Sequence, residues 1–126
     1  MKKRIVVCGG RNFTDVKRCY DVLDHTINGE TEIEIVSGHA KGADAFAEAY
    51  AKEKGIELTV FPADWARYGR AAGPMRNKEM LDYAQEANPL VIAFWDGKSK
   101  GTGHMIGIAQ KRGVEVRIVS IAEKGD

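Results

Sequence analysis

The sequence predicts an α/β protein: a Rossmann-like three-layer domain with a mainly parallel sheet of about five strands. Three observations predict it. Short β-branched runs alternate with amphipathic segments long enough for helices, the pattern of βαβ units with right-handed crossovers. The strand runs are continuously apolar, as strands covered on both faces should be. Glycines gather at the ends of those runs, on one edge of the sheet.

In chain order, Ile5–Cys8 is the first strand. Thr14 is placed to cap a helix that reaches about Ile27, with Cys19, Tyr20, Leu23 and Ile27 at helical spacing. Ile33–Ser37 is the second strand. Lys41 to Lys54 follows as a helix, which Gly55 closes. Leu58–Phe61 is the third strand and leads into a long polar loop. A helix from about Pro74 to Ala87 precedes the fourth strand, Leu90–Trp95. Gly101–Arg112 is the last helix, Val114–Ile121 the fifth strand, and Glu123–Asp126 a polar tail.

Length and composition exclude several classes. A chain of 126 residues suits one domain, expected to span residues 1–126. Nineteen Lys and Arg against 18 Asp and Glu leave a net charge of +1, too balanced for a protein that grips duplex nucleic acid by neutralising phosphates. An apolar share of 44% argues against disorder. No apolar run approaches the roughly 18 residues of a spanning helix, so no membrane partner is expected. Only four apolar residues follow Met1-Lys2-Lys3-Arg4, too few for an export signal, so a cytoplasmic location is expected. Cys8 and Cys19 cannot make a disulfide framework, and Cys8 reads as a small core residue.

The glycines point to function. Gly9, Gly10, Gly38, Gly42, Gly69, Gly73, Gly97, Gly101 and Gly103 all follow strands, on the edge where such sheets bind ligands. Glycine lets a backbone approach a ligand, and each following helix start adds partial positive charge. A cation stands at each of these helix starts: Arg11, Lys41, Arg76, and Lys98 with Lys100. That pattern favours a polyanion, with phosphate the obvious choice, over side chains that merely reach water. In Gly73-Pro74-Met75-Arg76-Asn77, proline sits near the first helical turn, so Arg76 and Asn77 fall at the pocket mouth. Arginine can grip phosphate bidentately. Phe13, Trp65, Tyr68 and Trp95 offer rings for a base, or else serve as rim core residues. Asp44, Asp64 and Asp96 could take a ribose hydroxyl or cap a helix. A metal site of Cys8, His39 and His104 lacks any recognised ligand spacing, so no metal is expected. Walker A, G-x-S-x-G, H-E-x-x-H and G-x-G-x-x-G patterns are all missing, and no cofactor is expected.

These loops carry a resemblance. Ser37-Gly38-His39-Ala40-Lys41-Gly42-Ala43-Asp44 resembles the S-G-x-A-x-G-x-D segment of the DNA-processing protein A (Smf) family, and Arg76-Asn77 its R-N helix start. Gly101-Thr102 resembles the G-T of the G-T-x-x-E loop of Lonely Guy (LOG) enzymes. Three further blocks, Gly9-Gly10-Arg11-Asn12-Phe13, Phe61-Pro62-Ala63-Asp64-Trp65 and Ala72-Gly73-Pro74-Met75-Arg76-Asn77, resemble the YspA-related, YpsA-like branch of the SLOG superfamily, found in bacteria and phages. The resemblance covers essentially the whole chain. It implies a nucleotide-derived ligand touching Gly10, Arg11, Asn12, Phe13, Ser37, Gly38, Lys41, Gly42, Asp44, Asp64, Trp65, Gly73, Arg76, Asn77, Gly101, Thr102 and Gly103. It also implies a homodimer, for which Met75, Met80, Leu81 and Tyr83 supply apolar surface. One departure stands out. The position of the LOG glutamate holds Met105, which cannot stabilise an oxocarbenium ion.

The expected function is therefore binding, by sensing or sequestration, of a nucleotide or ADP-ribose-like molecule, within nucleotide-based stress or phage-related signalling. The alternative is a LOG-like hydrolase that cleaves an N-glycosidic or phosphoribosyl bond with Arg76, Asp44 and Asp96. Single-stranded nucleic-acid binding is a third reading, weakened by the balanced charge.

Overall fold

The computed structural model describes residues 1–121; the expected polar tail lies outside the described residues. Five parallel strands form one sheet, β1 (Lys3–Gly9), β2 (Ile33–Ser37), β3 (Glu57–Val60), β4 (Asn88–Trp95) and β5 (Glu115–Ser120), in the order β3-β2-β1-β4-β5. The helices are α1 (Val16–Ile27), α2 (Ala43–Lys54), α3 (Trp65–Tyr68), α4 (Ala72–Gln85) and α5 (Lys100–Lys111), with a single 3₁₀ turn at Gly69–Ala71. Among the described residues no helix is long and apolar enough to cross a membrane.

The continuous strand runs have the expected cause. In β1, Ile5 and Val7 belong to a core with Cys19 and Leu23 of α1 and Ala47, Tyr50 and Ala51 of α2. Val6 and Cys8 belong to the opposite core, with Met80, Leu81 and Ala84 of α4 and Met105, Ile106 and Ala109 of α5. Alternate residues therefore face two helical layers, and no position from Ile5 to Cys8 is free to be polar. Register follows: Ile5 pairs with Ile35 on one side and Leu90 on the other.

Three of the differences from expectation bear on the site. Asp15, not Thr14, caps α1, because its carboxylate reaches the Arg18 N–H at 3.1 Å. The expected polar loop after β3 holds α3, capped by Asp64 through the Arg67 N–H at 3.1 Å. The chain then runs through the 3₁₀ turn into α4, which starts at Ala72 rather than Pro74.

Candidate functional site

The strand order places the site. From β1 the chain crosses to β2 on one side; from β4 it crosses to β5 on the other. The two neighbouring strands thus send their loops apart, and a crevice opens at their carboxyl ends, the topological switch point of such sheets. A cavity of about 1320 Å³ lies there. Its walls are the β1–α1 loop from Gly9 to Asp15, the first turns of α4, and the β4–α5 loop with the start of α5.

Six cations line this cavity: Arg11, Arg18, Arg70, Arg76, Lys98 and Lys100. Among the described residues none of them has a carboxylate oxygen within 4 Å, whereas Lys2, Lys3, Arg4, Lys17, Arg112 and Arg117 all do. The three carboxylates of the lining answer backbone N–H groups instead. Asp15 accepts from Arg18, Asp44 from Ala40 at 3.1 Å, and Asp96 from Lys98 and Ser99, both at 2.8 Å. Among the described residues the cavity therefore carries six cations against three carboxylates, in a protein whose net charge is only +1.

Arg76 is the most constrained of the cations. Its Nη1 donates to the carbonyl of Gly38 and its Nε to Asn77 Oδ1 at 3.2 Å. Asn77, 5% exposed, donates in turn to the Gly101 carbonyl at 3.2 Å and to His104 Nδ1 at 3.1 Å. This one amide ties α4 to α5. It fixes Arg76 from one side and leaves the His104 proton on Nε2. Burial and the nearby Lys78 charge hold His104 below the usual histidine range. Burial pushes the Asp44 carboxyl up to about 6, against the opposing pull of the Ala40 N–H and the Arg76 charge. At Asp96 the Ser99 and Lys98 N–H groups hold the carboxyl below its ordinary range.

Most of the expected site residues meet at this cavity. Gly10, Arg11, Asn12, Phe13, Asp44, Trp65, Gly73, Arg76, Asn77, Asp96, Gly101 and Thr102 line it. Phe13 does so as a core residue, its ring stacked on Phe94 with centroids 5.0 Å apart. Ser37, Gly38, Lys41, Gly42, Asp64 and Gly103 are outside the lining. Gly38 lies behind Arg76, and Asp64 is engaged as the α3 cap. Gly42, at φ +78°, turns the chain so tightly against the Gly10 carbonyl that a side chain there would collide with it. Lys41, just before this turn, stays exposed and outside the cavity. Ser37 is fully buried and donates to Glu48 Oε2 at 2.7 Å. Glu48 also holds the Nδ1 of His39, a non-glycine residue at φ +62°. Among the described residues no three His, Cys, Asp or Glu side chains converge as a metal site would need.

Sequence reasoning missed Arg18 and Arg70 in the lining. Arg18 was detectable, since it lies three residues after the true cap, Asp15. It also missed Glu48, whose only cue was its place on the buried face of α2, four residues after Asp44. The apolar residues of α4 fall differently from the dimer expectation. Met80 and Leu81 belong to the protein's own core and Tyr83 packs against it, which leaves Met75 exposed.

Residues 3–68 match the model of the family described as "YspA, cpYpsA-related SLOG family". The chain is also 32% identical over 120 residues to the Gene 61 protein of Mycobacterium phage D29, covering 90% of this chain and 94% of that protein. Among solved structures it resembles DNA processing protein A (DprA) from Streptococcus pneumoniae, with a TM-score of 0.71 and 21% identity. That match covers 98% of this chain but 52% of the other, so the present chain spans about half the length of DprA. At that identity the likeness concerns the fold.

Proposed function

This chain belongs to the YspA, cpYpsA-related SLOG family, and from that premise we propose that its switch-point cavity binds a nucleotide-derived small molecule through its phosphates. One observation carries the reading: among the described residues, six cations around the cavity lack carboxylate partners, while the carboxylates beside them serve backbone N–H groups. A phosphate chain would supply the missing counter-charge, with Arg76 offering the guanidinium N–H groups that Gly38 and Asn77 leave unused and the start of α5 its free N–H groups. Sensing or sequestration needs nothing more. Calorimetry with ADP and ADP-ribose at low and high salt tests the proposal. Saturable binding that weakens as salt rises supports it. Absence of binding by either compound at millimolar concentration overturns it. A single-stranded oligonucleotide in the same titration asks whether a polymer competes for these cations.

A second reading, hydrolysis of an N-glycosidic bond, draws on Asp44 and Asp96. Their surroundings push their proton affinities in opposite directions within one cavity, as an acid/base pair requires. Mass spectrometry of AMP and ADP-ribose after incubation with the protein decides it: a released base supports turnover, and intact nucleotide supports binding alone.

A further inference from the structure

The cavity offers one open aromatic face. Phe13 is buried against Phe94. Trp95 donates its indole N–H to the Ser99 carbonyl at 3.1 Å and packs against Gly103. Trp65 lines the cavity yet is 49% exposed. The edge of its ring lies on the start of α4, where a Cβ on Gly73 would be 3.2 Å from the indole. Arg11, from the β1–α1 loop, holds its guanidinium carbon 5.7 Å from the Trp65 ring centroid, a cation–π distance. Two separate walls of the cavity thus meet through a planar cation over an indole, and among the described residues neither side chain has a carboxylate partner.

We propose that the Arg11–Trp65 contact is a latch that a nucleoside phosphate exchanges: its base takes the face of Trp65 that Arg11 covers, and the released guanidinium pairs with its phosphate. The inference rests on the phosphate-binding reading of the cavity. Magnitudes favour the exchange. An exposed cation–π contact amounts to about 2- to 5-fold in an equilibrium, whereas base stacking on an aromatic amounts to about 5- to 150-fold. The guanidinium loses nothing by leaving, because the phosphate gives it a charge-assisted partner. Trp65 then sets the preference for a base, and the cations set the preference for phosphate.

The test compares AMP and GMP with ribose 5-phosphate, which carries the same phosphate without a base. Binding to the full chain is measured by calorimetry for wild type, Trp65→Ala and Trp65→Phe. Wild type should prefer the nucleotides by about 5- to 150-fold. Trp65→Ala should erase that preference while binding ribose 5-phosphate as well as before or better. Trp65→Phe should keep part of the preference. In a Trp95→Phe background Trp65 is the remaining tryptophan, and AMP should quench its fluorescence more strongly than ribose 5-phosphate does. Trp65→Ala that still prefers AMP over ribose 5-phosphate overturns the latch while leaving the phosphate reading intact. Wild type that binds none of the three overturns the phosphate reading, and the latch with it.

Discussion

The guanidinium of Arg76 occupies the space that a side chain on Gly38 would need. A Cβ built on Gly38 would lie 2.7 Å from the Arg76 Cζ and 3.0 Å from its Nε, while Nη1 donates to the Gly38 carbonyl. Glycine stands at this position in the β2–α2 loop because an arginine from α4 approaches its backbone, with no unusual φ involved.

Gly38→Ala should therefore act on Arg76. The methyl group meets the flexible end of a side chain, so the guanidinium moves and the backbone stays. ADP affinity should fall in the same direction as for Arg76→Ala, where loss of a charge-assisted pair amounts to about 10- to 150-fold. Arg76→Ala also removes the donor to a buried carbonyl and should cost about 1 kcal/mol of stability. Calorimetry and urea unfolding separate the two effects. Wild-type affinity in both variants would remove Arg76 from the site.

Asp44 makes stability depend on pH in an unusual direction. Its native carboxyl holds a proton up to about pH 6, against 3.8 when unperturbed, chiefly because it is buried. The native state therefore binds this proton more tightly than the unfolded chain, and ionised Asp44 opposes folding above about pH 6. As pH falls from about 6 to about 4, wild type should gain up to about 3 kcal/mol relative to Asp44→Asn. Urea unfolding of both proteins at several pH values across that window measures the difference, and parallel profiles would refute it.

Glu34 has the opposite sign. Burial alone would raise its carboxyl, but hydrogen bonds from Thr59, Tyr83 and Arg4, together with the Arg4 charge, outweigh burial and lower it. Its contribution is present above the ordinary carboxyl value of 4.5 and is lost as pH falls through the lowered native one. Glu34→Ala removes the acceptor of the Arg4 Nε, 3.0 Å away, and of two hydroxyl donors, while Arg4 keeps its bond to the Tyr83 carbonyl and its Glu86 neighbour; the loss should cost about 1–3 kcal/mol. Thermal and urea unfolding check this; a shift below about 1 kcal/mol would show that water replaces the carboxylate.

Met105→Glu looks from the G-T-x-x-E pattern like a way to restore a catalytic carboxylate. In the fold Met105 is fully buried in the core beneath α4 and α5, and it does not line the cavity. A glutamate there would bury an unpaired charge and should destabilise the protein by several kcal/mol without creating glycosidase activity. A variant with wild-type melting that releases adenine from AMP would contradict this placement.

The sequence by itself determined the layers and the edge that carries the site. Continuous runs such as Ile5–Cys8 can satisfy only a strand covered on both faces, and glycines and cations at the strand ends mark one edge whatever the strand order. Local chemistry was legible to within a residue or two, as when Asp15 displaced Thr14 as a cap; α3 was missed because four residues carry too little periodicity to show. Tertiary structure alone decided the order β3-β2-β1-β4-β5, and with it the crevice between the loops after β1 and β4. It also decided which charges are compensated. Glu34 meets Thr59 and Tyr83 across 25 and 49 residues of chain, Arg76 meets Gly38 across 38, and Lys41 is left outside. The reason is physical: backbone preference and hydrophobic periodicity act between near neighbours, whereas charge pairing and close approach depend on distances set only when the sheet assembles.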